Sequence, residues 1–339
     1  MKPLCAILFI FIITSSKTNC VQPESDNKIV LVMHGGAGTI KKGIDPEREE
    51  NYRKDFAKAL KAGYKILHEG GSAIDAVETA VALLEDSPLF NAGKGSVFTS
   101  KGTHEMDAAI MDGKTLHAGA VCGVQTIKNP IHAARAVMDK TPHVLLCGDG
   151  AEEFANEQGL ELVEPGYFYD EYRYQQWKKA KDKEGQKPEH SDDGGKAPAN
   201  TMEEKHGTVG ALALDQYGNL AAATSTGGMT NKRYGRVGDT PLIGCGTYAD
   251  NSSCAVSCTG HGEYFIRTVA AHAVCDLMKY KNLPVKEAAE KVLAQINDLG
   301  GEGGLIALDR KGNFAMPFNT VAMIRGYVKK DGNVVVEIF

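Results

Sequence analysis

His206-Gly207-Thr208-Val209-Gly210-Ala211-Leu212-Ala213-Leu214 changes character at a single peptide bond. A long polar stretch, Lys178 to Lys205, precedes it, and Val209 to Leu214 has the apolar run of a buried strand. The Gly207-Thr208 junction reads as a self-cleavage site. A threonine hydroxyl within a continuous chain is a poor nucleophile, whereas an N-terminal threonine carries its own base, an α-amino group with a reference pKa of about 7.7 to 8. Threonine at a strand start is ordinary on its own, because β-branched residues favour strands. The polar segment in front changes that balance, since a flexible tail can leave after a cut and expose the new amine.

Outward from the junction, residues 181–205 are nearly all charged or small, with Pro188, Pro198 and Gly194-Gly195, and read as a mobile linker with nothing to bury. On the other side, Thr208 to Leu214 and Leu220 to Ser225 flank Gln216-Tyr217-Gly218-Asn219 as a hairpin. A second hairpin turns at Asp112-Gly113 between Asp107 to Met111 and Leu116 to Gln125. Ile29 to Met33 reads as a buried strand ending in the glycine loop His34-Gly35-Gly36-Ala37-Gly38. Two helices follow, Glu47 to His68 and one starting at Ser72 with Asp75 as its capping partner. Further on come a helix near Ile131 to Met138, a strand His143 to Cys147 and two polar helices ending near Ala180. The remainder predicts a long helix Gly262 to Tyr280, another from Pro284 to Leu299, and strands Gly304 to Asp309, Asn313 to Pro317 and Val334 to Phe339. Hairpins separated by paired helices predict an α+β fold with two packed sheets between helix layers. The linker lies inside this plan, so residues 21–339 form one domain that a cut divides into 21–207 and 208–339.

Composition bounds the partners. The 339 residues are 42% hydrophobic and 24% charged, enough to bury a large core. Met1-Lys2, the apolar run Pro3 to Thr14 and the polar tail with Ser15, Ser16 and Asn19 predict a signal peptide over residues 1–20, and with it a secreted, periplasmic or lumenal protein. The run falls short of the roughly 20 residues that span a bilayer, which argues against stable membrane insertion. Without the leader, 36 basic residues face 43 acidic ones for a net charge of −7, which argues against nucleic acid as a partner. Six cysteines remain, Cys122, Cys147, Cys245, Cys254, Cys258 and Cys275, with no Cys-x-x-Cys pair to suggest zinc. Export would allow some to pair, while buried thiols are the default in a chain with this much core. The sequon Asn251-Ser252-Ser253 carries little weight alone.

His34-Gly35-Gly36-Ala37-Gly38, Phe90-Asn91-Ala92-Gly93, His206-Gly207-Thr208-Val209-Gly210, Thr224-Ser225-Thr226-Gly227-Gly228, Gly235-Arg236-Val237-Gly238-Asp239 and Thr259-Gly260-His261-Gly262-Glu263 resemble, in order and spacing, the plant-type asparaginases, or isoaspartyl peptidases. The resemblance spans about residues 29–325. It implies the four-layer αββα sandwich of the N-terminal-nucleophile hydrolases, self-cleavage between Gly207 and Thr208, and a dimer of αβ units. The implied substrates are L-asparagine and β-aspartyl dipeptides, with no organic cofactor.

The same resemblance assigns roles. Thr208 is the nucleophile, and Thr226 positions or polarises its hydroxyl, although Thr224 to Thr226 would otherwise read as a strand end. Arg236 and Asp239, otherwise a surface ion pair in a loop that includes Val237 and Gly238, would grip an α-carboxylate and an α-ammonium. Thr259 and Gly260 supply a hydroxyl and an amide to an oxyanion, with His261 and Gly262 beside the substrate amine. Asn91 joins the nucleophile's neighbourhood, or else is a turn residue. Main-chain carbonyls of Leu84, Glu85, Ser87, Phe90, Ala92 and Lys94 would wrap a structural Na+. His34 packs against the site, since its loop lacks the Gly-Lys-Thr of a phosphate-binding loop. Two alternatives stay open. A glycosylasparaginase suits an exported protein but carries His-Asp-Thr at the cut, where this chain has His206-Gly207-Thr208. An uncleaved, inactive binding protein would show itself by failing to cut.

Overall fold

Leu31 and Met33 face one way from the first strand and Val30 and Val32 the other, all four buried, so this strand is covered on both faces. The computed structural model describes residues 28–38, 40, 42–185 and 207–339; the expected leader and most of the expected linker lie outside them. In chain order the elements are β1 (Val30–Ala37), α1 (Pro46–His68), α2 (Ala73–Glu85), β2 (Met106–Asp112), β3 (Ala118–Val124), α3 (Pro130–Lys140), β4 (Leu145–Cys147), α4 (Gly148–Glu157) and α5 (Glu171–Gly185). Beyond the junction come β5 (Val209–Leu214), β6 (Leu220–Thr226), β7 (Thr247–Ala249), β8 (Cys254–Gly260), α6 (Gly262–Thr268), α7 (Ala270–Lys281), α8 (Val285–Asp298), β9 (Gly303–Asp309), β10 (Phe314–Ala315), β11 (Met323–Lys329) and β12 (Val334–Glu337).

The fold is mixed α/β. Eight strands form one sheet in the order β12-β11-β1-β5-β6-β2-β3-β4, antiparallel throughout except for β3 with β4. Four form another in the order β10-β9-β8-β7. Phe56 and Leu60 of α1, Val77 and Val81 of α2 and Ile131 of α3 pack with Leu31, Met33, Ala211 and Ala223 of the larger sheet. Val32, Leu212 and Ala222, from the opposite face, pack with Ala255, Ile306 and Leu308 of the smaller sheet. The smaller sheet's other face, Val256, Cys258, Leu305 and Ala307, meets Val274 of α7 and Val292 and Ile296 of α8.

Local chemistry sets the boundaries. Ser72 caps α2 as expected: its Oγ accepts from Asp75 N at 3.2 Å and donates to Asp75 Oδ2 at 2.6 Å. Both expected hairpins form.

Several expectations change. β1 does not stop at Met33; it runs on to Ala37 through a bulge between His34 and Ala37, so the glycine segment belongs to the sheet. The single helix expected over Gly262 to Tyr280 breaks at Val269, which has left-handed φ 49° and ψ 49°. The carbonyls of Gly244 and Cys245 capture the amides of His272 and Ala271 at 2.8 and 3.1 Å, which restarts the helix in a new direction. Residues 181–185, assigned to the linker, extend α5. β7, β8 and β11 had no counterpart in the sequence reading.

Asn251, in the sequon, is occupied structurally: its Nδ2 donates to Asn219 Oδ1 at 3.1 Å and its Oδ1 accepts from Leu220 N at 2.8 Å.

Candidate active site

Thr208 enters β5 opposite the end of β6, so the strand pairing that aligns Val209 with Ser225 brings Thr208 beside Thr226. The Thr208 hydroxyl donates to Thr226 Oγ1 at 3.2 Å. Thr226 Oγ1 also accepts from Gly228 N at 2.9 Å and donates its own proton to the Gly207 carbonyl at 2.8 Å. Asn91 Nδ2 donates to the same carbonyl at 2.8 Å and to Gly228 O at 2.7 Å, while its Oδ1 accepts from Val97 N at 3.0 Å. Asn91 is therefore no simple turn residue; every polar contact it makes faces the junction or the loop beneath it. Two donors thus converge on the carbonyl carbon side of the Gly207-Thr208 bond, within the 2.7–3.1 Å range of donors that stabilise oxyanions.

Beneath Thr208 a buried polar chain joins the two sheets. His34 Nδ1 lies 3.0 Å from Thr208 O, His34 Nε2 2.8 Å from Ser257 Oγ, Ser257 Oγ 2.7 Å from Thr224 Oγ1, and Thr247 Oγ1 donates to Thr224 Oγ1 at 2.7 Å. A carbonyl only accepts, so Nδ1 carries the proton and Nε2 takes the Ser257 hydroxyl. Burial drives the His34 pKa down to about 3, against the opposing effect of the Thr208 carbonyl, so the ring is neutral. Gly210 makes room for this contact: a Cβ there would lie 2.1 Å from Ser257 Oγ and 2.4 Å from His34 Nε2. His34 does pack against the site, as expected, but Ser257 and Thr247 went unnoticed because a hydroxyl in a strand carries no pattern of its own.

Arg236, Asp239 and Gly262 meet one another at the end of β8 and the start of α6. A Cβ on Gly262 would sit 2.8 Å from Asp239 Oδ1 and 2.9 Å from Arg236 Nη2, and one on Gly238 2.9 Å from Arg236 Nη1. Asp239 is buried with no partner on Oδ2, and desolvation, opposed by the Arg236 charge, raises its pKa to about 6. Arg236 is engaged by a residue given no role in the sequence reading: Nε and Nη2 hold the two Glu263 oxygens at 2.8 and 2.9 Å. Lys232 was also overlooked; its buried ammonium donates to Glu105 O at 2.7 Å and borders Gly228. Val237 lies half-buried in the same loop.

Thr259 and Gly260 end β8 rather than capping a helix, and Thr259 Oγ1 accepts from Ala37 N at 3.2 Å. Gly260 has φ 145°, and a Cβ there would lie 2.4 Å from Glu302 O, so no other residue fits. The His261 ring is held away from a free role by Glu302 N, which donates to its Nδ1 at 3.2 Å.

The loop after α2 turns main-chain oxygens inward. A Cβ on Gly93 would meet Glu85 O at 2.4 Å, and one on Gly95 would meet Phe90 O at 2.1 Å and Pro88 O at 2.6 Å. The Glu85 side chain points elsewhere, with Oε1 accepting from Ser225 Oγ at 2.6 Å and Ile131 N at 3.1 Å, and burial raises its pKa to about 7.

Comparison with known proteins identifies the family. The asparaginase family model matches residues 27–338. The chain is 51% identical to the isoaspartyl peptidase of Salmonella typhimurium, over 89% of this chain and 95% of that protein, and 51% identical to the isoaspartyl peptidase of Escherichia coli, over 88% and 92%. It is 45% identical to the isoaspartyl peptidase/L-asparaginase of Mus musculus, over 91% and 90%. Family match, identity and the clustering of Thr208, Thr226 and Asn91 at one peptide bond agree, and the chain belongs to the asparaginase family.

Proposed function

We propose that this chain is an autoprocessing threonine amidohydrolase that hydrolyses L-asparagine to L-aspartate and ammonia and cleaves β-aspartyl dipeptides. The observation that carries the reading is the hydroxyl pair at the junction, with Thr226 accepting from Thr208 while donating to Gly207 O. As Thr208 Oγ1 attacks the Gly207 carbonyl carbon, its proton passes to Thr226, and Thr226 passes its own to the developing oxyanion, which Asn91 also stabilises. Collapse re-forms the carbonyl, sends the proton it carried to the Thr208 nitrogen and breaks the C–N bond, leaving Gly207 esterified to Thr208, whose nitrogen is now an amine. Water then releases residues 21–207 from residues 208–339.

In turnover the freed amine takes the hydroxyl proton as Thr208 attacks the β-carbonyl. Asp239, whose Oδ2 has no protein partner, receives the α-ammonium, with the Gly262 carbonyl beside it. Arg236 shares its guanidinium between Glu263 and the α-carboxylate, through the Nη1 that Glu263 leaves uncovered. Thr259 and the Gly260 amide stabilise the oxyanion, and water hydrolyses the resulting ester. The isoaspartyl peptidases among the relatives favour this branch over a glycosylasparaginase.

The remaining features fit the same reading. The three packed interfaces support a four-layer αββα arrangement of helices, sheet, sheet and helices. The oxygens around Gly93 and Gly95 suit a hard cation, and the Leu84 to Lys94 loop would hold Na+ through carbonyls, bracing Asn91 without entering the chemistry. Residues 1–20 direct export, and the mature unit is a dimer of αβ units.

Intact-mass measurement of wild type beside Thr208→Ala after a day at neutral pH tests the reading. Wild type alone should yield a fragment beginning at Thr208 and then hydrolyse a β-aspartyl dipeptide in preference to a glycosylated asparagine. Two full-length proteins would leave an uncleaved binding protein instead.

A further inference from the structure

Cys254 opens β8 and Cys275 sits on α7, the helix packed on that strand. Their sulfurs lie 2.8 Å apart and both side chains are buried. Non-bonded heavy atoms rest at about 3.5–4.0 Å, and the sulfurs of a disulfide at about 2.05 Å. The pair is therefore closer than two thiols prefer. The two segments are already in contact: Ser253 Oγ donates to Cys275 O at 2.9 Å, and Cys275 Sγ lies 3.3 Å from Cys254 O, a thiol contact that the bond would give up. Among the described residues no cluster of three or more His, Cys, Asp or Glu could hold a metal, so metal ligation does not account for the pairing.

We propose that Cys254 and Cys275 form a disulfide when the chain matures in an oxidising compartment. The two thiols lose two protons and two electrons. The oxidant is a disulfide-bearing oxidoreductase or glutathione disulfide, whose own S–S bond is reduced to two thiols. One cysteine first forms a mixed disulfide with the oxidant; the thiolate of the other then displaces the oxidant's sulfur and closes the Cys254–Cys275 bond. Both sulfurs are shielded once α7 rests on β8, so the exchange precedes the last step of folding. The loop it closes carries Thr259, Gly260, His261 and Gly262, and its far end follows the helix break at Val269. Both cysteines lie in residues 208–339, so the bond survives self-cleavage and braces the oxyanion segment afterwards. This inference goes beyond the hydrolase reading; it rests on the proposed export alone and not on the proposed chemistry.

The test uses residues 21–339 directed into a secretory pathway by the host's own leader, as wild type and as Thr208→Ala, so that neither residues 1–20 nor self-cleavage decides the outcome. The protein is denatured, alkylated with N-ethylmaleimide without reductant, digested and mapped. The expected result is a peptide pair joined through Cys254 and Cys275 that separates on reduction. Recovery of both residues as alkylated thiols, or of either joined to another cysteine, overturns the proposal. A second readout is melting: dithiothreitol should lower the wild-type Tm by about 5 °C and leave Cys254→Ala/Cys275→Ala unchanged. An equal effect on both proteins overturns it as well.

Discussion

At the junction, one carbonyl accepts from two side chains that have different second duties. The Asn91 side chain donates to Gly207 O and Gly228 O and accepts from Val97 N, so truncating it takes a donor while leaving the Thr208 hydroxyl and the Gly227 N bond to the Asn91 carbonyl in place. Asn91→Ala should slow the appearance of the Thr208 N-terminus by about 10² to 10³, followed by mass against time. Asp239 gives the site a pH dependence of definite sign. Its carboxyl titrates near 6, and only the carboxylate form attracts an ammonium, so KM in the cleaved enzyme should rise as pH falls through about 6. Asp239→Asn, of the same shape, should raise KM at pH 7.5 and abolish that rise; a pH profile of initial rates with a β-aspartyl dipeptide reads both.

At the scale of elements, α6 meets the loop from Gly228 to Asp239 through Gly262, and this contact separates the two reactions. Gly262 touches Arg236 and Asp239 but makes none of the contacts around Gly207 O. Gly262→Ala should leave self-cleavage within a few-fold of wild type and lower kcat/KM by at least about tenfold, measured on the same preparation by mass and by product release. The loop between α2 and β2 offers another test. If its carbonyls hold Na+, exchanging NaCl for choline chloride at equal ionic strength should lower Tm by a few degrees, as loss of any ligand of the native state does. These elements also show where sequence was readable. The β5-β6 hairpin announced itself through an apolar run, a polar turn and a second run. β8 did not, because Ser257 and Thr259 interrupt its apolar pattern, and those hydroxyls are the ones that meet His34 and Ala37 N at the site. β11 mixes Arg325, Gly326 and Tyr327 with its apolar residues, although it lies between β1 and β12 in the sheet. Thr208 and the glycine-rich segments around it were legible as motifs; the partners Ser257, Glu263 and Lys232 depend on contacts that only the folded chain makes.

Over the whole molecule, buried ionisable groups pull stability in opposite directions. His34 and His104, with pKa values near 3 and 4 against an ordinary 6.5, stay neutral in the fold, so their contribution is complete above 6.5 and is lost as pH falls. Glu85 and Asp239, raised to about 7 and 6, hold protons in the fold and stabilise it below their ordinary values, losing that contribution as pH rises. Between about 4.5 and 6 the slopes offset each other; below 4.5 Glu85 drops out and the two histidines outweigh Asp239, and below about 4 His34 alone acts, at about 1.4 kcal/mol per pH unit. The Tm of the Thr208→Ala precursor should therefore be nearly level from pH 5 to 6 and drop steeply below 4.5, and His34→Gln should make that drop shallower. The strand order has a different consequence. β1 of the first piece lies between β11 and β5 of the second, and β6 of the second lies against β2 of the first. On the proposed cut, separating Gly207 from Thr208 leaves these ladders in place but deletes the tether that brought them together. The precursor finds its partners within one molecule, whereas the mature enzyme, once melted, must find them between two. Folding is then an ability the protein uses once and discards, and thermal inactivation of the cut form becomes concentration-dependent and practically one-way.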